Sequence, residues 1–210
     1  MDNKKEINQI RNYFDNTLKK HGATPLGVDW NSMVSQGIRF EQLAKLINTQ
    51  EEFSILDYGC GYGAFLQYLN ENKYPYSKFF GYDISDLMVR QAQELFSNYE
   101  NVIFSKDLKT IPVVDYLVAS GVFNMKFETP DEGWTTYVLE CLDVMHKQSG
   151  KGFASTFLTK YSDKDKMRNN LYYADPCMLF DYCKRHYSRN VAILHDYGVY
   201  DFTLIVRKDI

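Results

Sequence analysis

Residues 53–69 read FSILDYGCGYGAFLQYL, and this is the most informative stretch of the chain. A short apolar run ends in the acid Asp57, and three glycines follow at positions 59, 61 and 63. Apolar residues at helical spacing come next. The pattern predicts a buried strand, a tight glycine-rich turn and a helix. Because glycine lacks a Cβ and tolerates positive φ, a ligand can lie against the backbone of such a turn.

Two kinds of adenosine-containing ligand use a turn of this type. One carries a pyrophosphate, and the other carries an ammonium group and no phosphate. Dinucleotide sites follow the spacing G-x-G-x-x-G and hold a pyrophosphate at the helix N-terminus. Here the spacing is G-x-G-x-G, and Asp57 stands two residues before the first glycine. A carboxylate there repels a pyrophosphate but suits a ligand that bears an ammonium group. The residues DYGCGYG (57–63) resemble the first motif of the class I S-adenosylmethionine-dependent methyltransferases.

Two further apolar strands are predicted to end in acids. FFGYDIS (79–85) contains Asp83, and VIFSKDL (102–108) contains Asp107. Asp83 follows the first strand at the distance that one crossover helix requires, as does the ribose-binding acid of Rossmann folds. In the family that the motif resembles, an acid at the position of Asp107 recognises the adenine amine.

The resemblance implies a set of cofactor-binding residues that covers the glycine turn, the ends of three strands and the N-terminal region. They are Asp57, Gly59, Cys60, Gly61, Asp83, Ile84, Asp107, Leu108, Ser120, Arg39 and Trp30. Arg39 is expected to pair with the cofactor carboxylate, or else to pair on a helix surface with Glu41 or Asp29. Trp30 is either a packing residue or part of a substrate wall.

The rest of the chain fits an α/β fold. We predict a helix over residues 4–20, and a second helix that begins at Asn31 or Ser32 and ends near Ile47. Further strands follow, and two β-rich runs on either side of YGVY (197–200) predict a terminal hairpin. The predicted fold is a Rossmann-like three-layer sandwich with a seven-stranded, mostly parallel sheet, a C-terminal antiparallel hairpin and an N-terminal helical lid. Residues 1–210 would form one domain, with a lid over 1–50 and a core over 51–210.

The acceptor side is less well marked in the sequence. By resemblance, Phe123 and Asn124, just after the fourth strand, face the substrate. Tyrosines near the C-terminus form an aromatic substrate wall or cover the surface, and the candidates are Tyr172, Tyr173, Tyr197 and Tyr200. The candidate general bases are His21 and His195, each of which has an alternative as a helix-end or exposed turn residue.

Composition limits the partners. The net charge is −3 and no basic block is present, which disfavours a nucleic-acid substrate. The four cysteines lack metal-site spacing, so we expect no metal and a reducing, cytoplasmic compartment. No apolar run reaches membrane-spanning length.

These observations lead to one expected function and several alternatives. The chain is expected to be a methyltransferase of the EC 2.1.1 class that uses S-adenosylmethionine and releases S-adenosylhomocysteine. It would methylate O or N of a small molecule such as a saccharide or secondary metabolite, as a monomer or homodimer. The alternatives are a protein or RNA methyltransferase, a catalytically silent partner subunit that binds the cofactor, and a nucleotide-dependent oxidoreductase.

Overall fold

The computed structural model describes residues 4–30 and 32–208. Two helices precede the sheet: α1 spans Lys4–His21 and α2 spans Met33–Ala44, with a short 3-10 helix at Pro25–Val28 between them. The Ser32 Oγ accepts a hydrogen bond from the Ser35 amide at 3.1 Å, which caps α2. The alternative predicted cap, Asn31, lies outside the described residues.

In the described part of the chain, seven strands and four further helices follow. The strands are β1 Phe53–Tyr58, β2 Tyr76–Tyr82, β3 Val102–Ser105, β4 Val114–Ala119, β5 Ser149–Leu158, β6 Asn190–Leu194 and β7 Asp201–Arg207. The helices are α3 Ala64–Glu71, α4 Asp86–Leu95, α5 Asp131–Gln148 and α6 Pro176–His186, with a short 3-10 helix at Leu108–Thr110.

The strands form one sheet in the order β3-β2-β1-β4-β5-β7-β6. The first five strands in this order are parallel, and β7 is antiparallel to both β5 and β6. This topology confirms the predicted fold class. Chain order reverses between β1 and β4, and ligands of open α/β sheets bind beside the carboxyl ends of the strands at such a switch point.

Helices cover both faces of the sheet. One buried cluster joins α2, α3 and α4 to one face, and a second joins α5 and α6 to the other. In β1, Ile55 belongs to the first cluster and Leu56 to the second, and both are fully buried. Burial on both faces explains why the central strands carry apolar residues at consecutive positions instead of alternating with polar ones.

Several element boundaries differ slightly from their predicted positions. The fifth strand begins at Ser149 instead of Gly152, and α2 ends at Ala44 instead of near Ile47. Within the described residues, no helix combines the length and apolarity needed to cross a bilayer. The organisation of residues 1–210 as a single domain stays a prediction.

Candidate functional site

The glycine turn lies at the carboxyl end of β1, against the loop after β4. Gly59 and Gly61 adopt φ values of 80° and 52°, in the left-handed region. A Cβ on Gly59 would lie 2.5 Å from Val122 Cγ2, and one on Gly61 would lie 3.0 Å from Val28 Cγ1. The turn therefore needs glycine for its conformation and for the close approach of neighbouring residues.

Asp83 links this turn to the loop after β2. Its Oδ2 accepts a hydrogen bond from the Gly61 amide, and its Oδ1 accepts one from the Ser85 amide, both at 2.9 Å. The Ser85 hydroxyl in turn donates to Asp15 on α1. This chain of hydrogen bonds connects the ends of two strands to the N-terminal helices.

Two carboxylic acids with raised pKa values lie at the turn. Burial, followed by the negative charge of Asp83, raises the pKa of Asp57 to about 8. Burial also raises the pKa of Asp83 to about 6, although the amides of Ser85 and Gly61 partly offset this effect. A bound cation would favour the ionised form of both acids, so their placement suits a positively charged ligand.

A cleft with about 1000 Å³ of empty space, part of it open to solvent, lies over the turn. Phe14 of α1 and Gln36 of α2 line it on the lid side. The cleft brings together most of the residues predicted for the cofactor: Asp57, Gly59, Cys60, Gly61, Asp83, Ile84, Ser120 and Trp30. Their placement makes this cleft the candidate cofactor site.

The polar groups of the cleft can be tested against an adenosyl amino acid. Ser120 lines the cleft, and its buried Oγ has no hydrogen-bond partner among the described residues. Buried polar groups are normally paired, so this hydroxyl is available to a polar ligand. Four tyrosines of the described residues line the cleft, and three of them, with Ile84, offer flat apolar surface that suits an adenine ring: Tyr58, Tyr82 and Tyr137. The residues present fit the cofactor.

A second cavity adjoins the cofactor cleft. Phe14, Val28, Trp30 and Gly121 line both spaces. The rest of the second cavity is lined mainly by residues 124–125, the segment 158–173 and the turn 198–200. The second cavity is concave and partly open to solvent, and a space beside the cofactor site is where a methyl acceptor would have to lie.

Comparisons with known proteins agree with this geometry. The family model of the methyltransferase domain matches residues 55–148. Rv1506c of Mycobacterium tuberculosis, a protein assigned as a methyltransferase, is 46% identical over 164 residues, which cover 78% of this chain and 98% of Rv1506c. The chain belongs to the class I S-adenosylmethionine-dependent methyltransferases. Its cofactor is therefore S-adenosylmethionine, and S-adenosylhomocysteine is the product.

Solved structures show the same fold at low sequence identity. The N-methyltransferase NodS of Bradyrhizobium japonicum, solved with S-adenosylhomocysteine, matches with a TM-score of 0.67 and 14% identity over 94% of this chain and 97% of NodS. A methyltransferase of Aquifex aeolicus matches with a TM-score of 0.58 and 19% identity, over 81% of this chain and 89% of its own. These likenesses concern the fold alone.

Arg39 has a different partner in this methyltransferase from those considered in the sequence. Its guanidinium forms a buried ion pair with Asp201 of β7 and donates to the Ser35 carbonyl at 2.7 Å and to the Ser35 Oγ at 2.6 Å. The Arg39 Cζ lies 4.3 Å from the centroid of the Trp30 ring. Arg39 lines the second cavity and not the cofactor cleft, so neither Glu41, Asp29 nor a cofactor carboxylate accounts for it.

The predicted substrate residues divide into two groups. Asn124, Tyr173 and Tyr200 line the second cavity. Phe123 is fully buried and stacks on Phe157, and Tyr172 is buried with its hydroxyl 2.8 Å from Thr135 Oγ1. The expectation that these two side chains face substrate is wrong, because both belong to the core between the sheet and α5.

The remaining predicted residues lie outside both cavities. Tyr197 hydrogen-bonds Thr203, at 2.9 Å between their oxygens. Neither His21, at the end of α1, nor the exposed His195 lines either space. Asp107 is exposed, and its Oδ1 accepts a hydrogen bond from the Lys109 amide at 3.0 Å. This bond caps the 3-10 helix Leu108–Thr110, whose first residue is the other predicted cofactor residue, Leu108. Neither histidine therefore lines the second cavity.

Gln36 is a cleft residue that sequence reasoning missed. It is only 6% exposed although it is polar, and it lies one helical turn before Arg39 on α2. A buried polar side chain on a lid helix is a signal of ligand contact, but helical periodicity alone could not show which turn faces the cleft.

Proposed function

We propose that this methyltransferase transfers a methyl group to an oxygen or nitrogen atom of a small molecule. The observation that carries the proposal is the second cavity, which shares the wall of Phe14, Val28, Trp30 and Gly121 with the cofactor cleft. We name it the acceptor cavity. A concave space of this kind suits a small molecule such as a saccharide or secondary metabolite.

We assign the binding of the cofactor to residues of the cleft. When bound, S-adenosylmethionine supplies an electrophilic methyl group on a sulfonium. Asp83 would accept hydrogen bonds from the ribose, and Asp57 would balance the ammonium charge. The Gln36 amide can both donate and accept, so it suits the zwitterionic amino-acid end together with the unpaired Ser120 hydroxyl.

The protein's contribution to the reaction is mainly alignment. Trp30 is held over Gly121, where a Cβ would come within 2.5 Å of the indole ring, and the Gly121 amide donates to Thr156 Oγ1 at 2.9 Å. This wall between the two spaces would orient the acceptor atom, and orientation alone contributes about 7–11 kcal/mol in favourable cases. Among the described residues, no histidine lines either space, so an acceptor atom that is already nucleophilic fits best.

The experiment is a screen of small acceptors in which the release of S-adenosylhomocysteine is measured. The variant Leu171→Trp fills the acceptor cavity, so we expect turnover to fall at least about tenfold while affinity for S-adenosylhomocysteine is unchanged. Leu95→Trp, at a half-exposed position on α4, is the control and should retain turnover.

The alternatives predict different results. Turnover only with RNA or protein would indicate that the chain is an RNA or protein methyltransferase. Cofactor binding without turnover on any acceptor, with or without partner proteins, would indicate a silent subunit. A cytoplasmic location and a monomeric or homodimeric state remain part of this proposal, supported by the sequence alone.

A further inference from the structure

We infer that the acceptor cavity selects a molecule that carries an anionic group, either a carboxylate or a phosphate. The inference rests on the proposed function, because it names the class of acceptor for the same cavity. It is carried by the charges that line the cavity, where three cationic side chains meet one acidic one: Lys166, Arg168 and Arg39 against Asp29.

Lys166 and Arg168 are the cations available to a ligand. Both are exposed on the segment after β5. The Lys166 Nζ lies 3.4 Å from Oδ2 of its neighbour Asp165. Both side chains are exposed, and exposed ion pairs contribute little to stability. Within residues 4–30 and 32–208, no salt bridge of the Arg168 guanidinium is found, and its backbone amide donates to the Tyr173 hydroxyl at 2.9 Å.

The other two charged residues are already engaged. Asp29 accepts a hydrogen bond from the Tyr13 hydroxyl at 3.0 Å. Arg39 is largely neutralised by Asp201, although its buried Nε has no partner among the described residues. Selection for an anion therefore depends on Lys166 and Arg168, at the side of the cavity formed by residues 158–173.

An anionic acceptor also agrees with the chemistry of the two spaces. An alcohol needs a base to remove its proton, whereas a carboxylate is ionised at neutral pH. Neither candidate histidine lines the acceptor cavity. The anionic group can be the methylated atom itself or a handle elsewhere on the molecule, and Lys166 and Arg168 serve recognition in both cases.

The test measures the binding of matched probes to the protein loaded with S-adenosylhomocysteine. The pairs are glucuronate with glucose and benzoate with benzamide, and inorganic phosphate is added as a separate probe. Dissociation constants come from ligand-observed NMR on the wild type and on Lys166→Gln/Arg168→Gln. Lys164→Gln/Lys109→Gln removes the same charge at exposed positions that do not line the cavity.

We expect the wild type to bind the anionic member of a pair about tenfold more tightly, since two partly screened charge pairs contribute roughly three- to fivefold each. The cavity variant should lose this preference and the control should keep it. Stronger binding of phosphate or of the carboxylates tells which anion the cavity takes.

Three results would overturn the inference: equal binding of neutral and anionic probes, a preference that survives in the cavity variant, or no binding of any probe. These failures are distinct from failure of the proposed function, which is measured by turnover. A wild type that prefers anions but methylates no small molecule would contradict the proposed function and leave the charge selectivity established.

Discussion

The cofactor cleft and the acceptor cavity share a wall, yet they are built from different parts of the chain. The cleft consists mainly of strand ends, the glycine turn and two acids. These parts lie within residues 57–64, residues 82–88 and the loop after β4, and helices α1 and α2 also line the cleft. The acceptor cavity is assembled from loops and turns that lie far apart in the sequence, and its ionic side chains are mostly exposed.

This difference matches the two tasks that we propose for the two spaces. In the cleft, the main chain and the carboxylates of Asp57 and Asp83 would hold the cofactor through groups that the sheet positions. Loops can change without loss of the fold, so they are the natural place for acceptor selectivity. The following predictions test whether the two regions are as independent as their construction indicates.

Gly61→Val should have the largest effect. The new side chain would point toward Val28, and φ at this position disfavours any β-branched residue. We expect affinity for S-adenosylhomocysteine, measured by calorimetry, to fall about 100-fold or more, a loss of roughly 2.7 kcal/mol.

The matched control is Gly22→Val. Gly22 also has positive φ, at 66°, but a Cβ there meets nothing within 4 Å. It should show a similar loss of stability with unchanged affinity. Retained turnover in Gly61→Val would mean that the backbone of the turn does not contact the cofactor.

Asp83→Ala and Gln36→Leu should show which end of the cleft binds the nucleoside and which end binds the amino acid of the cofactor. Asp83→Ala should weaken S-adenosylhomocysteine and methylthioadenosine alike, by about 30-fold, since a charged hydrogen-bonding group is lost. Gln36→Leu should weaken only S-adenosylhomocysteine, by about five- to tenfold, because methylthioadenosine lacks the amino acid.

Two neighbours serve as controls for this pair. Asp86→Ala removes an exposed carboxylate that pairs with Lys106. Gln42→Leu changes another buried glutamine of α2, whose Oε1 accepts from Lys45 and which lines neither cavity. If Gln36→Leu weakens both ligands equally, Gln36 does not contact the amino-acid end.

The smallest effect is a pH dependence of cofactor binding. In the free protein the pKa of Asp57 is about 8, so this acid is mostly protonated at pH 6.5 and must lose its proton to balance an ammonium group. Affinity for S-adenosylhomocysteine should therefore rise roughly fivefold between pH 7 and pH 8. In Asp57→Asn the Asp57 contribution should disappear and affinity should be lower.

The same acid should affect stability in the opposite direction. An unfolded chain releases this proton near pH 4, whereas the folded protein keeps it up to about pH 8, so stability without ligand falls as pH rises through that window. Asp57→Asn should stabilise the free protein at pH 8, by up to about 5 kcal/mol, because the window covers about four pH units at roughly 1.36 kcal/mol each. A variant that is less stable at pH 8, with unchanged cofactor affinity, would refute the role given to Asp57.

The sequence predicted most of the fold and much of the cofactor cleft. Asp57, the glycine turn and Asp83 form a local pattern of strand, turn and acid, and parallel strands bring their carboxyl ends to one edge of the sheet. That rule alone placed Asp57 and Asp83 beside the same turn, although they lie 26 residues apart, as their numbers show.

The errors concern residues whose neighbours come from distant segments. The sequence suggests partners for Arg39 on its own helix, on the preceding loop or on the cofactor. Its partner in the structure, Asp201, is 162 residues away. Phe123 and Tyr172 were assigned to substrate by position, whereas packing against α5 placed them in the core. The presence of a histidine in the sequence could not show that His21 and His195 lie outside both cavities.

The order of residues by itself determined the strand ends, the glycine turn and the position of the acids that we propose bind the cofactor, because these depend on local spacing and on the fixed rules of parallel sheets. Only the tertiary structure decided which turn of α2 faces the cleft, which partner Arg39 takes and which loops enclose the acceptor cavity. Those outcomes depend on contacts between distant segments, and a side chain's chemistry does not specify which of many possible neighbours it will meet.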